Sequence, residues 1–165
     1  MKLKSMMTVL ALAAASLSAS AQVDVQNAWA RATVQGQSAT GAFMTLTAKD
    51  GAKLVGASSP AAGVAQVHEM KMEGGVMKMA EVKGGLDLPA GKALELKPGG
   101  YHVMLMDLKQ TLDKDSTVPL TLVFKDAKGA ESKIELKVPV AMAAPGGKPA
   151  AMDHSAHMAK PAASK

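Results

Sequence analysis

Histidine and methionine gather in two short segments of the sequence, His68–Met79 and His102–Met106. The chain has 13 methionines but only four histidines, and it has no cysteine. Imidazole nitrogen and thioether sulfur both bind soft metal ions, and thioethers favour Cu(I) over Zn(II), Mn(II) or Mg(II). The two segments therefore predict a site for Cu(I).

The geometry of a β-strand decides which of these side chains can meet. Alternate residues of a strand face the same side, so each histidine shares a face with the methionines two and four positions after it. Gly74-Gly75 is a typical two-residue hairpin loop, and it pairs Met70 with Met79 and Met72 with Met77. Each segment thus presents one imidazole and several thioethers on one surface.

Four residues, two from each segment, are predicted to hold the ion together: His68, Met79, His102 and Met104. This set supplies nitrogen and sulfur without an anionic donor, which suits a monovalent ion because little charge must be balanced. The alternative is that the methionines pack in the core, the usual role of a methionine on a strand. The apolar stripes expected of a core lie elsewhere, in Val103–Leu105 and Leu120–Leu122.

Short apolar runs, broken by turn residues about every 8–12 positions, extend from residue 23 to residue 140. This spacing predicts an antiparallel, all-β sandwich or barrel. The predicted strands are Val23–Asn27, Gly41–Ala48, Leu54–Ser58, Val64–Met72, Val76–Val82, Ala93–Leu96, His102–Leu108, Val118–Lys125 and Lys133–Val138.

Residues 1–21 have the pattern of a secretory signal peptide. Lys2 and Lys4 precede the apolar run 6–17, and Ala19-Ser20-Ala21 supplies a cleavage site of small residues. The run is too short to span a membrane as a helix, although a lone N-terminal membrane anchor is the alternative. The pattern predicts export and cleavage, with a mature chain that starts at residue 22.

Residues 141–165 differ in character, because they are rich in Ala, Pro, Gly and Lys and show no alternation. We expect this tail to be disordered, so that residues 22–140 form the folded domain. The tail carries four residues that could form a second copper site: Met152, His154, His157 and Met158. Nitrogen donors suit Cu(II), while thioethers can keep the ion if it is reduced.

Composition argues against several functional classes. The net charge of +5 comes from scattered lysines, Arg31 is the only arginine, and aromatic residues are few, so a nucleic-acid surface is not expected. Because nucleophile triads, phosphate loops and paired carboxylates are missing from the sequence, we expect a protein that is not an enzyme. An electron-transfer cupredoxin needs a cysteine thiolate, which this chain lacks.

Five segments give the chain a specific resemblance: Ala28–Thr33, Thr40–Met44, His68–Met70, Gly74–Met79 and Leu96–Met106. With the spacing His68-x10-Met79-x22-His102-x-Met104, they resemble the PCu(A)C family of periplasmic copper chaperones over about residues 23–140. The second spacer is one residue longer than is usual in that family, and the extra residue falls in a Pro/Gly-rich loop.

The resemblance implies a cupredoxin-like Greek-key β-sandwich that holds Cu(I) through histidine and methionine, with Met70 as an additional ligand. It also implies delivery of copper to cytochrome c oxidase assembly, at the binuclear copper centre, by handover to a copper-accepting protein. Sequestration of copper without a specific recipient is the alternative, and the sequence does not separate the two. We expect a monomer that has no membrane insertion after signal cleavage.

Overall fold

The computed structural model describes residues 23–145 and forms ten β-strands within that range. The strands are β1 (Val23–Arg31), β2 (Ala39–Ala48), β3 (Ala52–Ser58), β4 (Ala62–Glu73), β5 (Val76–Glu81), β6 (Leu86–Leu88), β7 (Ala93–Leu96), β8 (Tyr101–Leu108), β9 (Thr117–Lys125) and β10 (Glu131–Ala141). The signal-peptide prediction for residues 1–21 lies outside the described residues. So do the four tail positions of the second candidate copper site: Met152, His154, His157 and Met158.

The strands form two sheets with almost entirely antiparallel pairing. One sheet contains β1, β2, β4, β5, β7 and β8, and the other contains β3, β6, β9 and β10. A short parallel pair joins them, where Ala30 and Arg31 of β1 lie opposite Val140 and Ala141 of β10. The all-β prediction is therefore confirmed.

Apolar side chains from both sheets fill the space between them. Val103 and Leu105 of β8, Leu120 and Leu122 of β9, and Phe124 belong to one buried cluster, in which none of the five is more than 1% exposed. The two pairs Val103/Leu105 and Leu120/Leu122 are the stripes that the sequence assigned to the core, and Phe124 adds to them. Burial of such apolar area provides the main favourable free energy of folding.

All nine predicted strands are present, and the structure adds one that the sequence pattern missed. Leu86–Leu88 forms β6 and pairs with β3, but three residues are too few to show alternation. The last strand also extends to Ala141, one residue into the segment predicted as tail, because Ala32 donates a hydrogen bond to the Ala141 carbonyl. Among residues 23–145 there is no helix of the length and hydropathy required to cross a bilayer.

The first sheet has a second face that is turned away from the core. Strands β5, β4, β8 and β2 are neighbours in that order. Val67 of β4 and Val103 of β8 belong to the core, so alternation places His68 and His102 on the outer face. The two histidine segments therefore lie on adjacent strands of one surface.

Candidate metal centre

The hairpin formed by β4 and β5 has the register that the sequence predicted. Met70 lies opposite Met79, and Met72 lies opposite Met77. Gly74 and Gly75 have φ values of 60° and 78°, as a tight hairpin turn with two left-handed central residues requires. The glycine pair thus fixes which methionines face each other.

The two histidines are direct neighbours across β4 and β8. His68 is the cross-strand partner of His102, and their ring centres are 6.0 Å apart with an interplanar angle of 64°. Two imidazoles that share one ion through metal–nitrogen bonds of about 2 Å have ring centres about 5–6 Å apart. The rings are therefore close enough to bind the same ion.

A backbone contact holds the ring of His102 in place. Its Nδ1 atom lies 3.1 Å from the carbonyl oxygen of Gly100, to which it donates a hydrogen bond. The lone pair of the ring is therefore on Nε2. Such a contact fixes both the tautomer and the orientation of a ligating histidine, and the residue is only 5% exposed.

The free lone pair of His68 lies on the opposite ring nitrogen from that of His102. Its Nε2 lies 3.2 Å from Oε1 of Gln66 and donates to that amide oxygen, which leaves the lone pair on Nδ1. This Nδ1 atom is buried and has no hydrogen-bond partner within residues 23–145. A buried polar atom without a partner is costly, and a bound metal ion would remove that cost.

Its surroundings also favour the neutral form of the His68 ring. Burial is the largest effect that lowers its pKa, the charge of His102 lowers it further, and Glu81 acts in the opposite direction. A neutral imidazole is the form that binds metals. The residues at this position therefore fit a metal ion in both geometry and protonation.

Methionine side chains of the β4–β5 hairpin and of β8 share a cavity with His102. A cavity of about 260 Å³ is lined by Met70, Met79, His102 and Met104, among others. His68 is not part of the cavity wall, and its ring lies beside that of His102. Met79 is about half exposed, which leaves the cavity open to solvent. No three His, Asp or Glu side chains within residues 23–145 are grouped so that they could hold a metal ion.

An aromatic wall that the sequence reasoning did not assign to the site supports His102 from β1 and β2. The Phe43 ring lies 6.2 Å from His102 and 4.7 Å from Trp29, and the Arg31 guanidinium lies 5.8 Å from the centre of the Phe43 ring. Trp29 and Phe43 are buried but lie outside the main core cluster. Their positions opposite each other on β1 and β2 become informative only once the order of the strands is known.

Replacing Gly41 with alanine is expected to lower stability by about 1–3 kcal/mol, the usual cost of overpacking. The new Cβ would lie 2.8 Å from Cζ of Phe43, so the ring would have to move from its place beside His102. Chemical denaturation measures the change. Gly56→Ala is the matched control, because its Cβ would meet Val123 at an ordinary 3.7 Å. Equal stability of the two variants would contradict this role of Gly41.

The chain is similar to one protein family over nearly all of its described residues. The sequence profile of the LpqE-like family, described as "Putative lipoprotein LpqE-like", matches residues 23–140. A Leifsonia xyli subsp. xyli protein, "Putative lipoprotein Lxx21020", is 39% identical over 116 residues. That match covers 70% of this chain and 69% of the Leifsonia protein.

Solved structures share the same fold. DR1885 from Deinococcus radiodurans, solved in solution in its Cu(I) form, is 33% identical with a TM-score of 0.54, and the match covers 79% of this chain and 85% of DR1885. The copper-bound PCuAC domain from PmoF2 is 23% identical with a TM-score of 0.54, over 74% of this chain and 96% of that domain. The cupredoxin-like sandwich and the resemblance drawn from the sequence are thus confirmed: the chain belongs to the LpqE-like family and has the PCu(A)C type of fold.

Proposed function

We propose that this protein is a copper chaperone that carries one Cu(I) ion as its cargo. Four residues of the outer face are the proposed ligands, with Met70 as an additional one: His68, His102, Met79 and Met104. The observation that carries the proposal is the pair of imidazoles 6.0 Å apart, one of which has a buried Nδ1 without a partner in the described residues. The Cu(I) form of DR1885 supports the choice of metal.

The donor chemistry favours carriage of the ion over catalysis. Nδ1 of His68 and Nε2 of His102 are the nitrogen donors, and the cavity adds thioether sulfur, which prefers Cu(I). These ligands are neutral, so a receiving protein can displace them one at a time without separating opposite charges. The half-exposed Met79 is the first ligand that an incoming donor can replace.

Delivery to cytochrome c oxidase assembly is the destination that we propose for the copper. The protein would act in the periplasm after removal of residues 1–21 and hand Cu(I) to an apo form of the binuclear copper centre. Sequestration without a specific recipient is the competing function. The four tail residues are proposed as a second copper site that can also accept Cu(II): Met152, His154, His157 and Met158.

A transfer experiment separates delivery from sequestration. The mature apo-protein is loaded anaerobically with Cu(I) against a competing chelator and then mixed with an apo binuclear-copper domain of an oxidase subunit. Delivery requires the copper to appear in that domain, whereas sequestration requires it to stay with this protein. Failure to bind Cu(I) would contradict both functions.

The affinity for Cu(I) is expected to hold from about pH 8 to about 6.5, the ordinary pKa of histidine, and to fall at lower pH. Burial and then the charge of His102 lower the pKa of His68, against the effect of Glu81. Because protons compete with metal for the imidazole, binding by His68 is present above its lowered pKa and is lost as the pH falls through it. Chelator competition at stepped pH measures this change, and His68→Gln is expected to show a shallower fall. An equally steep fall in the wild type and in His68→Gln would contradict ligation by His68.

A further inference from the structure

A second pair of methionines lies one step beyond the candidate site, towards the tip of the β4–β5 hairpin. Met72 and Met77 are directly opposite each other on the two strands. The Cβ atoms of directly opposed residues are about 4.5–5.5 Å apart. Two flexible methionine side chains that start from this separation can place both sulfur atoms on one ion.

The exposure of these two side chains argues against a packing role. Met72 is 65% exposed and Met77 is 44% exposed, and neither belongs to the core cluster. Methionine in a folded domain usually fills irregular gaps in the core, which side chains as exposed as these do not do. Their sulfur atoms are instead open to an ion that arrives from outside the protein or leaves it.

Met72 and Met77 continue a row of cross-strand methionine pairs that starts in the cavity. Met70 and Met79 line the cavity and form the neighbouring cross-strand pair. Successive residues on one face of a strand are about 6.6–6.8 Å apart. The two pairs are therefore near enough for an ion to pass between them by exchanging one thioether at a time.

The charged residues that flank the outer methionine pair lie on the opposite face of the hairpin. Lys71 pairs with Glu69 at 2.8 Å, and Lys78 pairs with Glu73 at 2.9 Å. Alternation places these four residues on the side away from the methionines. Glu81 shares the methionine face, but it lies opposite His68, two same-face pairs away from Met72 and Met77. The Met72–Met77 pair thus presents sulfur with no carboxylate beside it on that face, a donor set selective for a soft monovalent ion.

We propose that Met72 and Met77 form an outer Cu(I) station through which the ion enters and leaves the inner site. This inference rests on the proposed function, because it takes Met70 and Met79 as ligands of the inner site. Copper remains Cu(I) throughout and moves by thioether exchange, so the step needs no electron donor or acceptor. The station is suited to a copper acceptor with soft ligands that approaches the hairpin tip.

The station can be tested by NMR of individual methionine methyl groups. The full mature chain, labelled with ¹³C at the methionine ε-methyl groups, is titrated anaerobically with Cu(I). We expect early additions to shift the signals of Met79 and Met104, and later additions to shift those of Met72 and Met77 together. Signals of Met72 and Met77 that stay in place up to saturation would overturn the proposal. Shifts at Met72 and Met77 alone would show Cu(I) at the hairpin tip, contradict the inner site, and overturn the role of the pair as its entrance.

A double leucine variant distinguishes the effect of the two sulfur atoms from the effect of the apolar surface around them. Met72→Leu with Met77→Leu keeps the hairpin apolar, so any effect that depends only on hydrophobic contact is retained. We expect the variant to hold the first equivalent of Cu(I) as tightly as the wild type and to release it severalfold more slowly to a soluble Cu(I) chelator. Met142→Leu changes another exposed methionine outside the hairpin and should release copper at the wild-type rate. Wild-type release by the double variant would overturn the proposal.

Discussion

Replacing His102 with alanine is expected to lower the affinity for Cu(I) by more than about 100-fold, since even substitutions around metal ligands cost about 10- to 100-fold. The side chain is 5% exposed, and its Nδ1 is bonded to Gly100, so loss of Nε2 leaves the proposed site with one imidazole. Competition with a Cu(I) chelator measures the loss. His68→Ala is expected to have an effect of the same kind, because the two rings lie side by side.

Two controls distinguish the loss of a copper ligand from effects of the tail and of the fold. All variants are made in the full chain with four tail substitutions, so that the tail cannot mask the loss: M152L, H154Q, H157Q and M158L. His102→Gln keeps a polar side chain beside Gly100 and separates loss of a ligand from loss of the buried hydrogen bond. Unchanged affinity in an alanine variant that still folds cooperatively would contradict the assignment of His102.

Replacing both Met79 and Met104 with leucine is expected to weaken the binding of Cu(I). Exchange of methionine and leucine conserves volume and usually costs less than about 1.5 kcal/mol, so the fold should survive while the thioethers are lost. We expect Cu(I) affinity to fall at least about tenfold, which corresponds to about 1.4 kcal/mol. X-ray absorption at the copper edge should show fewer sulfur neighbours.

A methionine of the core supplies the matched control for this double variant. Met44 is 2% exposed and belongs to the buried cluster between the sheets. Met44→Leu makes the same chemical change away from the candidate site, and copper affinity and sulfur count should both stay at the parent level. If the double variant and the control bind copper equally well, Met79 and Met104 are not ligands.

Local chemistry made the hairpin predictable from sequence. Gly74 and Gly75 alone specify a tight turn with left-handed φ values, and the register of Met70 with Met79 follows by counting from the loop. The buried residues of β8 were predictable for a similar reason. Alternation with a period of two residues marks Val103 and Leu105 as facing the core.

The pairing of strands that are distant in the sequence could not be predicted from the sequence. His68 and His102 are 34 positions apart in the numbering, and no turn residue specifies that β4 and β8 bring them opposite each other. The choice of Nδ1 in one ring and Nε2 in the other depends on Gln66 and Gly100, contacts that exist only in the folded chain. The aromatic support from Phe43 has the same origin, since it requires β2 to lie beside β8.

Anomalous diffraction at the copper edge from crystals of the Cu(I)-loaded protein would locate the ion itself. We expect a copper peak on the outer face of the first sheet, within bonding distance of two nitrogens, Nδ1 of His68 and Nε2 of His102. The sulfur atoms of Met79 and Met104 should complete the site. A fully occupied peak elsewhere, with these two rings unbound, would contradict the account.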